Sequence, residues 1–249
     1  MLSLTKVIDK ILFTIILSAL TLSIIVLNSS ISSAGFYPNK IGFDVSYPQC
    51  SKVLPDDPLF AVIGVNGGKA YKPNPCLASL FKWAQSGKLP PSLYVNLNFI
   101  SPLTIHHSII GPKICNPIDQ ECLAYNYGYQ AIEYSFNYAK NSHAITKNWW
   151  LDIETMNTWS NDVVLNRNVI AGAIDNLRSK DLIVGVYSTR YQWTQITGDW
   201  DNNLPVWLAG ARDKEQAYQR CDESRSFTGG KVIMVQYIEN DLDHNFLCN

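Results

Sequence analysis

Two carboxylates set two residues apart, Asp152 and Glu154 in Trp150-Leu151-Asp152-Ile153-Glu154, are the feature of this sequence that points most directly to chemistry. In an extended strand, residues i and i+2 project to the same face, so the pair sets two acids side by side. Asp44, in Gly42-Phe43-Asp44-Val45-Ser46, and Asp243, beyond Gln236-Tyr237, also fall at the ends of apolar runs. Acids are costly to bury unless they are paired or put to use. Two close carboxyls cannot both ionise freely, so the pKa of one rises and that group can donate a proton near neutral pH. Cleavage of a glycosidic bond needs such a pairing, an acid for the leaving oxygen and ionised carboxylates beside an oxocarbenium-like transition state. On this reading the charge of Asp152 raises the pKa of Glu154. The same spacing is met by acids that pair with Arg or Lys at the rim of a fold, and D-x-E alone does not separate the two.

Other side chains suit a sugar. Tyr94, Asn96 and Asn98 alternate with apolar residues, so one face of that run is polar. Asn96 and Asn98 can hydrogen-bond sugar hydroxyl or acetamido groups, or one another and buried backbone. Trp150, Trp159, Tyr187, Trp207 and Tyr237, with Gln236 beside the last, are candidates for sugar contact, although a strand aromatic also serves as core. The chain holds 7 Trp and 13 Tyr but only 16% charged residues, a mixture that fits a polar, uncharged ligand stacked on rings. Its 20 Lys+Arg against 21 Asp+Glu give no basic excess, which argues against nucleic acid as a partner. No HExxH pattern accompanies His106 and His107, and no P-loop, G-x-G-x-x-G or G-x-S-x-G motif occurs, so neither a metal nor a nucleotide cofactor is expected.

The elements that must position these residues read as short apolar strands at Ile41–Val45, Phe60–Val65, Leu93–Phe99, Trp149–Ile153, Ile183–Tyr187, Val206–Ala209 and Val232–Tyr237, with an eighth at Leu242–Phe246. Continuous apolar runs indicate strands buried on both faces, as in a parallel sheet covered by helices. Helical periodicity lies between them at Cys76–Gln85, Tyr129–Lys140, Val163–Ser179 and Lys214–Arg220. The alternation predicts an α/β fold, a small irregular TIM-like barrel with fewer helices than strands, because a full eightfold repeat takes about 250 residues. In such a barrel the carboxyl ends of the strands form the active face, where Asp44, Asp152, Glu154 and Asp243 would converge.

Lys6 and Lys10 precede the apolar run Ile11–Leu27, and small residues through Ala34 follow, the order of a secretory signal peptide over residues 1–34. An uncleaved membrane anchor fits the same residues and would be the chain's one link to a membrane. Residues 35–249 then form one exported domain. Its six cysteines read as disulfides, paired with sequence neighbours as Cys50–Cys76, Cys115–Cys122 and Cys221–Cys248.

The segments Gly42-Phe43-Asp44-Val45-Ser46-Tyr47-Pro48-Gln49, Leu151-Asp152-Ile153-Glu154, Val186-Tyr187-Ser188, Pro205-Val206-Trp207-Leu208-Ala209, Val235-Gln236-Tyr237 and Leu242-Asp243-His244-Asn245 occur in this order. Together they resemble glycoside hydrolase family 25, the lysozyme-like N-acetylmuramidases, over the whole proposed mature chain. The resemblance implies a short barrel, cleavage of the bond after N-acetylmuramic acid in peptidoglycan, Glu154 as proton donor, and Asp44, Asp152 and Asp243 lining the subsite where charge develops. The sequence departs from the family at Cys50, where Gly is common, and at Tyr94-Val95-Asn96, which resembles a divergent branch of exported bacterial proteins. The reading is a monomeric, cofactor-free, exported glycosidase acting on cell-wall glycan. An inactive glycan-binding protein on the same fold and an envelope interaction protein are the alternatives.

Overall fold

A computed structural model describes residues 40–99 and 109–248. The expected leader over 1–34 and the His106-His107 pair lie outside the described residues. Eight strands, β1 (Ile41–Val45), β2 (Ala61–Gly64), β3 (Ser92–Asn96), β4 (Asn148–Asp152), β5 (Ile183–Ser188), β6 (Val206–Ala211), β7 (Val232–Glu239) and β8 (Leu242–Leu247), close into a barrel in chain order. Five α-helices are described outside it: α1 (Leu77–Ala84), α2 (Gln120–Asn141), α3 (Val163–Arg178), α4 (Arg190–Thr197) and α5 (Lys214–Gln219).

Strands β1 to β7 run parallel, as the apolar runs predict, but β8 is antiparallel to both β7 and β1 and corrects the expectation of a wholly parallel sheet. Its cause is local. Asn240 and Asp241 both take positive φ, 53° and 59°, which makes the two-residue hairpin turn that follows strand twist and leaves no room for a crossover helix. Helix α4 was not expected from periodicity; Thr189 caps it by accepting from Gln192 N–H, and Gly198 ends it at φ 62°. Helix α2 starts at Gln120, well before the expected Tyr129, because Asp119 caps it through Cys122 N–H and the Cys115–Cys122 disulfide pins its first turn. All three disulfides follow the expected pairing.

Rings fill the barrel floor. Phe60, Val62, Trp150, Tyr187, Trp207 and Met234 form one buried cluster, with Tyr94 packed against it. Space for such side chains inside a closed barrel is made by glycine. A Cβ on Gly64 would lie 2.8 Å from Tyr94 Cζ, and one on Gly185 would lie 2.4 Å from Trp150 Cζ3. Trp150 stands one inward position below Asp152 on β4, so this packing sets the floor on which the acids rest.

Gly185→Ala therefore forces a methyl group into the Trp150 ring, and overpacking of this kind costs about 1–3 kcal/mol. Thermal unfolding should show a clear drop in Tm. An unchanged Tm would mean that the floor is not close-packed at this point.

Candidate active site

Four carboxyl groups gather at one end of the barrel. Asp44 and Asp152 occupy the last two positions of β1 and β4, and Glu154 follows Asp152 on the same face. Asp243 is the second residue of β8 and the register partner of Asp44. It lies in the expected eighth strand, and only because β8 runs backwards does the start of that strand reach the carboxyl ends of the others. Asp44 and Asp152 are buried, while Glu154 and Asp243 are half-buried above them.

The two deep acids are held by side-chain amides. Asp44 Oδ2 accepts from Asn245 Nδ2 at 2.7 Å and from Gln236 Nε2 at 3.0 Å. Each amide is oriented from its other end: Trp207 Nε1 donates to Asn245 Oδ1 at 2.7 Å and the Tyr187 hydroxyl donates to Gln236 Oε1 at 2.8 Å. An indole N–H is a donor only, so it fixes the Asn245 carbonyl below and turns the NH2 toward the acid. Asp152 Oδ2 accepts from Asn96 Nδ2, and Asn66 in turn pairs with the Asn96 backbone in both directions. At the rim, Gln192 is oriented likewise. Its Oε1 accepts from Thr155 N–H at 2.7 Å and from Thr155 Oγ1 at 3.1 Å, which leaves Nε2 facing Glu154 Oε1 at 3.5 Å.

The electrostatics separate the four acids. Burial, then the charge of Asp243, pushes Asp44 up to about 7, against the pull of Gln236 and Asn245. Asp152 is held well above the usual carboxylate range, by burial first, then by Glu154 and Asp44 and by a hydrogen bond to Glu154. Its Oδ1 is buried and receives no donor from the described residues, a costly state for a charged oxygen. Protonation of Asp152 would lower that cost. Glu154 is itself raised by burial and by Asp243, while its hydrogen bonds from Gln192 and Asp152 oppose the rise. The expectation that the charge of Asp152 lifts Glu154 is thereby corrected. Burial raises Asp152 well above the usual range, and its hydrogen bond to Glu154 opposes the rise of Glu154. Burial also raises Asp243, opposed by His244 and Lys52.

The remaining residues singled out in the sequence lie around this centre. Tyr187 and Trp207 are buried in the floor, their polar atoms spent on Gln236 and Asn245. Asn98 accepts from Ala70 N–H at 3.0 Å and ties the loop after β2 to the site wall. Trp159 Nε1 donates to the Glu154 carbonyl at 2.9 Å. Tyr237 is turned to the outside of the barrel, stacked on His244. Gln192, Asn245 and Thr155 escaped the sequence reading. Among the described residues no group of three His, Cys, Asp or Glu side chains is arranged to hold a metal ion.

An acid raised by folding from about 3.9 stabilises the fold below that pH, and the contribution is lost as pH rises through the folded value, here about 7. Asp44→Asn cannot ionise and can still accept from Gln236 and Asn245. The variant should melt several degrees above the wild type at pH 8 and no higher at pH 4. Equal gains at both pH values would place the Asp44 midpoint outside this window.

Comparison with known proteins adds a lineage to this geometry. A family model described as lysozyme-like protein 1 matches residues 118–230, which include Asp152 and Glu154 but not Asp44 or Asp243. Lysozyme-like protein 2 of Caenorhabditis elegans is 30% identical over 129 residues, 49% of this chain and 46% of the relative. A probable GH family 25 lysozyme 5 of Dictyostelium discoideum is 36% identical over 96 residues, 36% of this chain and 43% of the relative. The chain thus spans less than half the length of these two relatives. They come from a nematode and from Dictyostelium, so the expected bacterial branch is not supported. Among solved structures, a bacterial lysozyme from Streptomyces coelicolor superposes with TM-score 0.58 at 16% identity, over 85% of this chain and 93% of that one. A modular endolysin crystallised with a peptidoglycan analogue, a tetrasaccharide-pentapeptide, gives TM-score 0.53 at 16% identity, over 84% of this chain and 54% of that one. By sequence over part of its length and by fold over most of it, the chain is similar to the lysozyme-like proteins of glycoside hydrolase family 25.

Proposed function

We propose that this chain is an exported glycosidase that hydrolyses the peptide-bearing glycan of peptidoglycan, N-acetylmuramidase-like, with Glu154 as the proton donor. The observation that carries the reading is the convergence of buried Asp44 and Asp152 with half-buried Glu154 and Asp243 at one end of the barrel, where burial raises all four carboxyls. General acid catalysis requires a proton near neutral pH at a group that substrate can touch. Glu154 is the exposed end of the pair, and Asp152 the end from which the proton is supplied.

When a glycosidic oxygen approaches Glu154, its growing basicity draws the proton across the Asp152–Glu154 hydrogen bond. Asp152 is left negative beneath the sugar, where the Asn96 amide donates to it. That charge, with those of Asp243 and of Asp44 once ionised, stabilises the oxocarbenium-like centre that forms as the bond breaks. Water excluded by the aromatic floor cannot screen these charges, so they act more strongly than at an open surface. Three disulfides accord with an oxidising compartment. Likeness to proteins called lysozymes, one of them crystallised with a peptidoglycan analogue, supports the substrate class.

Glu154→Gln retains shape and hydrogen bonding but not the transferable proton, and should lower kcat by about 100- to 10,000-fold while peptidoglycan binding persists. Intact cleavage in this variant would remove Glu154 from its role. Wild-type binding without release of reducing ends at any pH would convert the reading to a glycan-binding protein on the same fold.

The basic limb of the pH profile should respond in opposite directions to two neighbours of Glu154. Gln192→Leu removes a donor that favours the carboxylate, so Glu154 keeps its proton longer and the limb moves to higher pH. Asp243→Asn removes a negative charge that raises Glu154, and the limb moves to lower pH. Shifts in the same direction would contradict the assignment of the limb to Glu154.

A further inference from the structure

At the start of α4, three arginines line a cavity. It measures about 400 Å³ and is lined by Thr189, Arg190, Tyr191, Gly210, Arg220 and Arg225, with no carboxylate in its walls. None of the three guanidinium groups forms an ion pair with a described carboxylate. Exposed Asp222, which neighbours Arg225, spends its side chain on the Ser224 N–H, where it caps a short turn.

Two of the arginines are held by backbone carbonyls, and Arg225 lies near the charge of Asp222. Arg190 Nη2 donates to the carbonyls of Ser226 and, at 3.3 Å, of Ser224. Arg220 Nη1 donates to the Gly210 carbonyl at 2.9 Å. The Cys221–Cys248 disulfide ties the segment that follows Arg220 to the end of β8. Each guanidinium has five N–H donors, and these bonds use one edge, so others remain for a ligand. Three like charges around one cavity repel unless an anion lies among them. Thr189 and Arg190 also open α4, whose first turn adds the positive end of a helix.

The geometry points to an oxyanion subsite formed by Arg190, Arg220 and Arg225, which takes a carboxylate carried on the peptide of the glycan bound at Glu154. The inference rests on the function proposed above. Chain proximity supports it: Gln192, which faces Glu154, and Arg190, which lines the cavity, are two residues apart at the start of α4 and project from different sides of it, so a ligand that reaches both passes around the helix end. A pentapeptide spans up to about 17 Å when extended, enough to bridge such neighbours. Paired guanidinium donors also suit the planar carboxylate geometry.

The test compares a tetrasaccharide, its pentapeptide-bearing form and the same form with an amidated C-terminus, bound to full-length Glu154→Gln protein in calorimetry. The acid form should bind about tenfold tighter than the amide, a gain of the size expected for one charge-assisted pair, and the gain should shrink with salt. Arg225→Gln, at an exposed position with little to unfold, should bring the ratio of the two affinities toward one, and Arg220→Gln should do the same. A ratio that persists in both variants, or acid and amide forms of equal affinity in the parent, would overturn the subsite. If no oligosaccharide binds, the proposed function fails on its own account, and the cavity is judged by NMR of the arginine Nε–H resonances. An N-acetylated pentapeptide with a free carboxylate should shift those of Arg220 and Arg225, and its amide should not. Shifts from inorganic phosphate alone would overturn the carboxylate as the ligand, and shifts from neither would overturn the site.

Discussion

Four carboxyl groups can share one barrel mouth only if their negative charges are not all present at once, and this constraint orders the rest of the structure. Taking even one carboxylate from water costs several kcal/mol unless a proton, a cation or hydrogen bonds compensate it. No described lysine or arginine forms an ion pair with these acids; amides stabilise Asp44 and Asp152, while the charges of His244 and Lys52 act on Asp243 from a distance. Asp44 has two amide donors and Asp152 one, and both amides on Asp44 are oriented from their other ends by Trp207 and Tyr187. Neutral donors stabilise a carboxylate without neutralising it. The site therefore keeps acids whose midpoints are spread upward, where a cationic partner would have pulled them down.

Packing and electrostatics are the same design seen at two depths. Trp207 and Tyr187 close the barrel floor with their rings and, with their polar atoms, aim the Asn245 and Gln236 amides at Asp44. Glycines at the narrow points admit the large rings, and the rings exclude the water that would otherwise let Asp44 and Asp152 ionise in the usual range. The indole N–H of Trp207 and the hydroxyl of Tyr187 are both spent in this way. A change in the floor is felt at the mouth through these orienting bonds.

Much of this was legible in the sequence. Continuous apolar runs gave β1 to β7, and the acids at their ends mark one face because a parallel barrel has only one carboxyl end. Asn240-Asp241 carried the signal for the reversed β8, two turn residues that accept positive φ, yet it is read correctly only as a hairpin. Thr189 and Gln192 have the spacing of a helix-capping box, the sign of α4 that hydrophobic periodicity misses in so short a helix. There Gln192 turns its side chain to Thr155 and Glu154 instead of back to the cap. The different pull on the two acids was not legible. It depends on which of two adjacent acids is deeper and on which faces an amide, and strand alternation puts Asp152 and Glu154 on one face without ranking their burial.

The central claim is that the acids titrate apart, with the Asp152–Glu154 pair retaining a proton to neutral pH. Carbon-13 NMR of selectively labelled Asp and Glu carboxyls, followed from pH 3 to 9 in the folded protein, measures this directly. The account predicts a midpoint near 7 for Asp44, one well above the ordinary carboxylate range for Asp152, and a Glu154 signal that responds to the titration of Asp152. Midpoints for all four acids together in the ordinary range of about 3.5 to 4.5 would contradict it.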